Sequence, residues 1–462
     1  MSLKAAFMVP HPPMIVPAVG KGSEEQVRKT IDSYEKVADE IAAIKPDTII
    51  ISSPHSIMYS DYFHISPGAH AKGNFGRFGA PQVAFSEDYD KELVEKIEGS
   101  ATAAGISAGT MGERDASLDH GTMVPLYFIR KKYTGGKIVR IGLSGQPYSE
   151  HYRLGQIIGR AVLESGRSAV WVASGDLSHK LQDYGPYGFA KEGPEYDRRI
   201  MDVCSRAAFG ELFDFDENFC DKAAECGHRS FVMMAGAFDG MEVKATQYSH
   251  EDVTGVGYGI ISFYPDGKTS DERRFLDRYL QKRRDALSSK KDSSDAYVRL
   301  ARKTIESYIL DRKKPDIPAD IPEEMKNRRA GAFVSIHKHG QLRGCIGTIL
   351  PVTDCIAQEI INNAVSASTE DPRFNAISAD ELEWLEINVD ILGDPEDIDG
   401  PEQLDVKRYG VIVTKGFKRG LLLPDLEGVD TVEEQIAIAK RKAGIPAGDE
   451  VKLQRFEVVR HR

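Results

Sequence analysis

Cysteine is scarce in this chain, and its spacing shows no pattern. There are 5 among 462 residues, at Cys204, Cys220, Cys226, Cys345 and Cys355, with no C-x-x-C pair. An odd, scattered set argues against a disulfide framework or a cysteine-built zinc module and fits a reducing, cytoplasmic setting. Long apolar runs are missing too. Nothing approaches the roughly 18 uninterrupted apolar residues that cross a bilayer, so no membrane association is expected. The opening Met-Ser-Leu-Lys-Ala-Ala-Phe-Met-Val-Pro is too short in its apolar part for a signal peptide and has no cleavage site; it reads as a first strand. Positive charge is in deficit, with 60 Lys and Arg against 71 Asp and Glu and a net charge of −11. That balance gives no support to a nucleic-acid partner. No short internal repeat is present.

The length exceeds what one hydrophobic core serves, so two domains are expected. From the start to residue 265, β-branched apolar runs alternate with amphipathic stretches. Strands are expected at Ala5–Val9, Thr48–Ser52, Ile138–Leu143, Ala169–Ser174 and Val256–Phe263, and helices at Glu24–Ala43, Asp88–Ala104, Tyr152–Ser165 and Glu195–Phe209. The alternation implies an α/β domain with a helix-covered sheet. Residues 266–294 are polar and charge-dense, the composition of a solvated helical linker. A second domain, 295–462, opens with a helix at Tyr297–Ile309, followed by the apolar Ala332–His337.

Three histidines of the first domain share one context. His11 follows the first strand, His55 the second, and His179 the strand Ala169–Ser174. In open α/β sheets, ligands bind in the crevice beyond the carboxyl ends of the strands, so the three are candidates for one crevice. Prolines beside His11 and His55 stiffen the backbone that aims each ring. Imidazole suits Zn, Fe, Cu and Ni alike; an acidic third ligand would complete a 2-His-1-carboxylate triad with open positions. Glu225, in Ala-Glu-Cys-Gly-His, is the candidate acid, with surface exposure as the ordinary alternative. His120, in Asp119-His120-Gly121 before the apolar Thr122–Ile129, stands at a helix start, where the positive field favours the neutral ring. Such a ring could bind a substrate oxygen, or simply begin the helix. Asp176 either orients His179 or caps a helix. Tyr184-Gly-Pro-Tyr-Gly188 reads as an aromatic lid or a surface turn, and Tyr258 as a pocket residue of the last strand or a core residue.

Val9-Pro-His-Pro-Pro13, Ser53-Pro-His55, Asp119-His120-Gly121-x-x-Val-Pro-Leu126 and Gly175-Asp-Leu-Ser-His179 together resemble the LigB-type class III extradiol ring-cleavage dioxygenases over essentially the whole first domain. The resemblance implies a mononuclear non-haem Fe(II) on His11, His55 and Glu225, with Zn the alternative metal. It makes His179 the acid/base and His120 a substrate-contacting residue, and it implies a catechol- or aminophenol-like substrate cleaved with O₂. The related Memo family places a cysteine near the third-ligand position, which leaves Glu225 and its neighbour Cys226 as alternatives. Glu225 is favoured because a hard carboxylate suits ferrous iron. A metal enzyme using its ion as a Lewis acid, and a Memo-like ligand-binding scaffold, are the competing functions.

In the second domain Arg329-Ala-Gly-Ala-Phe-Val-Ser-Ile-His337, Leu342-Arg-Gly-Cys-Ile-Gly-Thr348, Asp371-Pro-Arg-Phe374 and Trp384–Leu392 resemble the AMMECR family, which implies an α+β fold and no assigned chemistry. The segment after Ile391 departs from the family, reading Leu-Gly-Asp-Pro-Glu. Cys345, between glycines and near Arg343, is either a packed thiol or a nucleophile. The fusion resembles gene groupings of AMMECR, Memo and radical-SAM proteins, which makes a radical-SAM partner an expectation. A homo-oligomer is a further one.

Overall fold

The computed structural model describes residues 2–426 and 428–462. Its backbone divides into two compact units, residues 1–280 and 281–462. The first contains strands β1 (Leu3–Val9), β2 (Thr48–Ser53), β3 (Phe63–His64), β4 (His70–Phe75), β5 (Ala80–Asp88), β6 (Ala108–Gly109), β7 (Lys137–Gly142), β8 (Ala169–Ser174), β9 (Met241–Glu251) and β10 (Tyr258–Thr269). Its helices are α1 (Pro17–Gly20), α2 (Arg28–Ile44), α3 (Lys91–Ala103), α4 (His120–Lys132), α5 (Tyr148–Ser165), α6 (Glu192–Ser205), α7 (Glu217–Ala223) and α8 (His228–Gly236).

Six strands form the main sheet in the order β7-β2-β8-β1-β10-β9. The first four run parallel, and β10 and β9 close the edge antiparallel. Every residue of β2 and β8 is buried, as expected of parallel strands covered on both faces. Alternate side chains feed two cores. Ala6, Met8, Ile50, Trp171 and Ala173 meet α3, α5, α6 and α8 on one face. Phe7, Val9, Ile49, Ile51, Val170 and Val172 meet α2 and α4 on the other. The α/β expectation therefore holds, with helices on both faces.

Residues 266–294 are built differently from a bare linker. They hold the end of β10, a 3-10 turn at Asp271–Arg273 and helix α9 (Phe275–Ser293), in which only Leu276 is buried. The polar composition thus belongs to a solvated helix, and the division between units falls inside it.

The second unit contains α10 (Ala296–Asp311), α11 (Glu323–Asn327), β11 (Ala332–Lys338), β12 (Gln341–Gly347), α12 (Ile356–Thr369), β13 (Leu385–Leu392), β14 (Glu396–Ile398), β15 (Tyr409–Lys415), β16 (Lys418–Leu422), α13 (Val432–Lys442) and β17 (Lys452–His461). Its strands pair antiparallel in the order β12-β11-β13-β17-β15-β16, with β14 also on β17. Val334, Ile336, Ile387 and Val389 of the sheet pack on Ile305, Ile360 and Ala364 of α10 and α12. This is an α+β domain. Among the described residues no helix is long and apolar enough to cross a membrane.

Candidate metal centre

The parallel strands end on one rim, and each rim loop is tied to the next. His11, two residues past β1, donates its backbone N–H to Asp176 Oδ1 at 2.7 Å. Asp176, two residues past β8, donates its own N–H to Cys226 Sγ at 3.3 Å, and its carbonyl accepts from Cys226 N at 3.4 Å. His179 N donates to Ala223 O at 3.3 Å. The β8 loop and the turn before α8 come this close because both carry glycine. A Cβ on Gly175 would lie 2.1 Å from Gly227 Cα, well inside any tolerable contact.

Three donor atoms converge at this rim. His11 Nε2 and His55 Nε2 are 2.9 Å apart, and Cys226 Sγ is 3.6 Å from His11 Nε2. All three lie within 4.8 Å of one another, and they form the His/Cys/Asp/Glu group of metal-holding geometry among the described residues. Metal–N bonds of about 2.05 Å and a metal–S bond of about 2.3 Å, at angles of about 90–110°, put N and N about 2.9–3.4 Å apart and N and S about 3.1–3.6 Å apart. The two pairs that share His11 therefore stand at the spacings of cis ligands on one ion. The tautomer of His11 is fixed as a ligand requires: Ser174 Oγ donates to Gly121 O at 2.6 Å, so at 2.9 Å it accepts from His11 Nδ1–H. That leaves the Nε2 lone pair bare.

Glu225, the acid favoured from sequence, has its carboxylate elsewhere. Its Oε2 accepts from the backbone N–H of His228, the first residue of α8, at 2.6 Å, and from Tyr196 Oη at 3.5 Å. The cause is local. Ala224 adopts the left-handed conformation at φ 53°, and the turn sends successive side chains to opposite sides, Glu225 toward the positive helix end and Cys226 toward the histidines. The third member of the convergent group is the Cys226 thiol. Burial, with Asp176 and Glu225 nearby, pushes that thiol well above its usual range, so the thiolate forms only with a cation beside it.

The other two histidines line the same space. The His120 ring lies 3.9 Å from that of His55 and 5.4 Å from that of His11. Its helix is capped by Asp119, whose Oδ1 accepts from Thr122 N at 3.0 Å and from Ser53 Oγ at 2.6 Å. His179 Nδ1 donates to the carbonyl of Ala224, which leaves its Nε2 as the acceptor, 3.9 Å from Asp176 Oδ2. Burial lowers His11 strongly, His179 as well, and His120 to about 4. The rings are thus neutral at pH 7, the state in which imidazole accepts a metal or a proton. Burial also pushes Asp176 up to about 7.

Tyr258 is buried in the core shared with α2 and α4, and its hydroxyl accepts from Thr254 Oγ1 at 2.9 Å. Tyr187 sets its ring edge-on to His179 at 5.1 Å and is exposed, as is Tyr184. Two contributors escape a reading by motif. Ser174 is simply the last residue of β8, and Ser53 the last of β2. A hydroxyl at a strand end beside a histidine-bearing loop is the signal that would have found them.

A family model described as the catalytic LigB subunit of aromatic ring-opening dioxygenase matches residues 5–261, and the AMMECR1 model matches residues 298–461. A protein of Clostridium acetobutylicum is 41% identical over the full length of both chains. One from Thermotoga maritima is 54% identical over 36% of this chain and 97% of its own. A crystal structure of an uncharacterised Pyrococcus horikoshii protein is 33% identical, covers 37% of this chain and 91% of that one, and has a TM-score of 0.34. The chain belongs to the LigB family of aromatic ring-opening dioxygenase subunits and carries an AMMECR1 domain in its C-terminal part.

Proposed function

We propose that the first domain is a metal-dependent enzyme in which His11, His55 and Cys226 hold one ion, and that it acts on a small catechol- or aminophenol-like molecule. The observation that carries this reading is the convergence of two imidazole nitrogens and a thiol sulfur within 4.8 Å at the rim of the parallel strands. Two imidazoles and a thiolate are a borderline-to-soft donor set that suits zinc or copper. They do not reproduce the carboxylate-bearing set expected for ferrous iron, since the Glu225 carboxylate serves α8. When bound, such an ion supplies Lewis acidity, lowering the pKa of hydroxyl or amine groups that meet it.

The chain's own residues supply the proton traffic. His179, locked by its Nδ1–H on Ala224 O, presents Nε2 to the substrate as a general base and later returns the proton. Asp176 anchors the backbone of His11, and its Oδ2 stands 3.9 Å from His179 Nε2, the nitrogen that faces the substrate. His120, neutral at the first position of α4, accepts from or polarises a substrate group beside His55. Tyr187 meets the His179 ring edge-on from the exposed side.

Oxygen-dependent ring opening on iron is the second reading, favoured by the family match over residues 5–261. Metal analysis of anaerobically purified protein, followed by catechol, protocatechuate and 2-aminophenol with and without O₂, separates the two. Zinc or copper near one per chain with O₂-independent turnover supports the first. Iron with a ring-opening chromophore supports the second. A wild-type protein that retains no metal and takes up none would overturn both. In either case His179→Gln should lower kcat by about 10²-fold or more while leaving metal content unchanged.

A further inference from the structure

The loop that carries His179 is gripped from α6 by a buried carboxylate. Asp197, on the buried face of that helix, accepts from Ser178 N through Oδ1 at 2.8 Å and from His250 Nε2 through Oδ2 at 2.9 Å. The same loop is laced to the chain that enters β10: Leu177 N donates to Gly257 O at 2.9 Å, Gly257 N to Ser178 O at 2.8 Å, and Leu181 N to Gly255 O at 3.2 Å. Residue 257 must be small for the carboxylate to reach this point, since a Cβ there would lie 2.0 Å from Asp197 Oδ2. A buried carboxylate is costly unless paired and hydrogen-bonded, and here one backbone N–H and one imidazole offset that cost. The pair has one member inside and one outside. The Asp197 side chain is 4% exposed, whereas that of His250, on the edge strand β9, is 32% exposed. Burial pushes the Asp197 carboxyl up, and His250 and Ser178 N hold it back. The bond to Asp197 raises His250, with Asp252 adding to the effect. In the weakly acid range the pair is therefore a carboxylate with an imidazolium. Burial lowers His179, and the Asp197 charge opposes that shift. The other titratable groups about His179 are Asp176, Tyr187, His11 and His55, and Tyr196 stands beside the pair.

We propose that Asp197 and His250 are positioning residues for His179: the carboxylate fixes the backbone that aims the ring and sets the charge beside it, and His250 balances that carboxylate from the solvent side. This role rests on the reading of His179 as the proton acceptor and deepens it, because it names what holds that acceptor in place. Asp197 does so through one bond to the residue before His179, and through its field. His250 acts at one further remove, through Asp197 alone.

The test is acylation of His179 by diethyl pyrocarbonate in the full chain, followed by mass spectrometry as a function of pH, at one metal loading throughout. The reagent takes only the unprotonated ring, so the acid limb of the rate profile reports the charge felt by His179. Asp197→Asn keeps an acceptor for Ser178 N and removes the negative charge, so less of His179 is protonated. His250→Gln keeps a donor for Asp197 and removes the positive charge, so more of it is. At the pH where the wild-type rate is about one tenth of its plateau, the first variant should react about threefold faster and the second about threefold slower. Plateau rates should stay near the wild-type value in both. A loosened loop, the merely structural alternative, would move both variants in the same direction. Shifts of the same sign, or none in either, overturn the proposal. Should Asp197→Asn fail to fold, His250→Gln carries the test by itself, and an unchanged or faster rate in it overturns the pair. Opposite shifts in a protein whose turnover survives His179→Gln uphold the pair and fell only the proton-acceptor reading. Absent shifts in an enzyme that needs His179 fell the pair alone.

Discussion

Replacing Cys226 and Glu225 one at a time separates two adjacent residues that the fold sends in opposite directions. Cys226 Sγ belongs to the three-donor group, whereas Glu225 Oε2 is bonded to His228 N at 2.6 Å. Zinc sites built on four ligands are worth roughly 10–16 kcal/mol, or about 3–4 kcal/mol per donor. Cys226→Ala should therefore weaken zinc binding by a factor of roughly 10²–10³. Ser174→Ala, which frees His11 Nδ1 without removing a donor, should cost roughly 10–100-fold. Glu225→Gln keeps an acceptor for His228 N and should change affinity by less than about threefold, a loss smaller than any expected for a ligand. The assay is competition with a chromophoric chelator on metal-stripped protein, repeated with Co(II), for which a thiolate ligand gives near-ultraviolet charge-transfer absorption. Circular dichroism confirms that each variant folds. The reasoning fails if Glu225→Gln weakens the metal as much as Cys226→Ala, or if wild-type protein with cobalt lacks the thiolate band.

Acid should destabilise the first unit in a window set by two buried histidines. His151 and His228 are both fully buried and lowered to about 3, chiefly by burial. Their folded values lie below the unfolded 6.5, so their stabilising effect is complete above pH 6.5 and drains away as pH falls toward 3. At about 1.4 kcal/mol per pH unit each, the two together remove about 4 kcal/mol by pH 5; denaturant midpoints at pH 7 and 5, followed by fluorescence of the buried Trp171, check this. Gly175→Ala drives a Cβ to 2.1 Å from Gly227 Cα and should cost about 2–3 kcal/mol together with metal affinity, read by thermal melting and zinc titration. In the second unit the buried Glu359 accepts from Thr348 Oγ1, Val352 N, Thr353 N and Thr353 Oγ1. Glu359→Ala strands those donors and should cost about 3 kcal/mol or more, seen as a lowered calorimetric transition for that unit with the other unmoved.

Much of the first fold is legible because its strands are buried on both faces. β1, β2, β7 and β8 are near-continuous apolar runs, and their observed bounds differ from the expected ones by at most two residues. The strand β9 and the β4–β5 hairpin were not legible. β9 mixes exposed and part-buried residues along an edge, and β4 and β5 carry only scattered buried positions, so neither leaves an apolar pattern. The histidines were legible from their places after strand ends. The third donor was not, because Glu225 and Cys226 are one residue apart, and only the left-handed turn at Ala224 decides which of them faces the rim.

The donors of the site stand on loops at the rim of the sheet that are joined to one another by hydrogen bonds. Val9 O accepts from Gly175 N at 2.9 Å, Asp176 Oδ1 from His11 N, Asp176 O from Cys226 N, and Ala223 O from His179 N. The loops that bear His11, His179 and Cys226 are thus stitched together through backbone groups and the Asp176 carboxylate. Small zinc modules differ, since in them ligand convergence and folding are one event. Here the loops that bear the donors are also ordered by the parallel strands and their two buried faces.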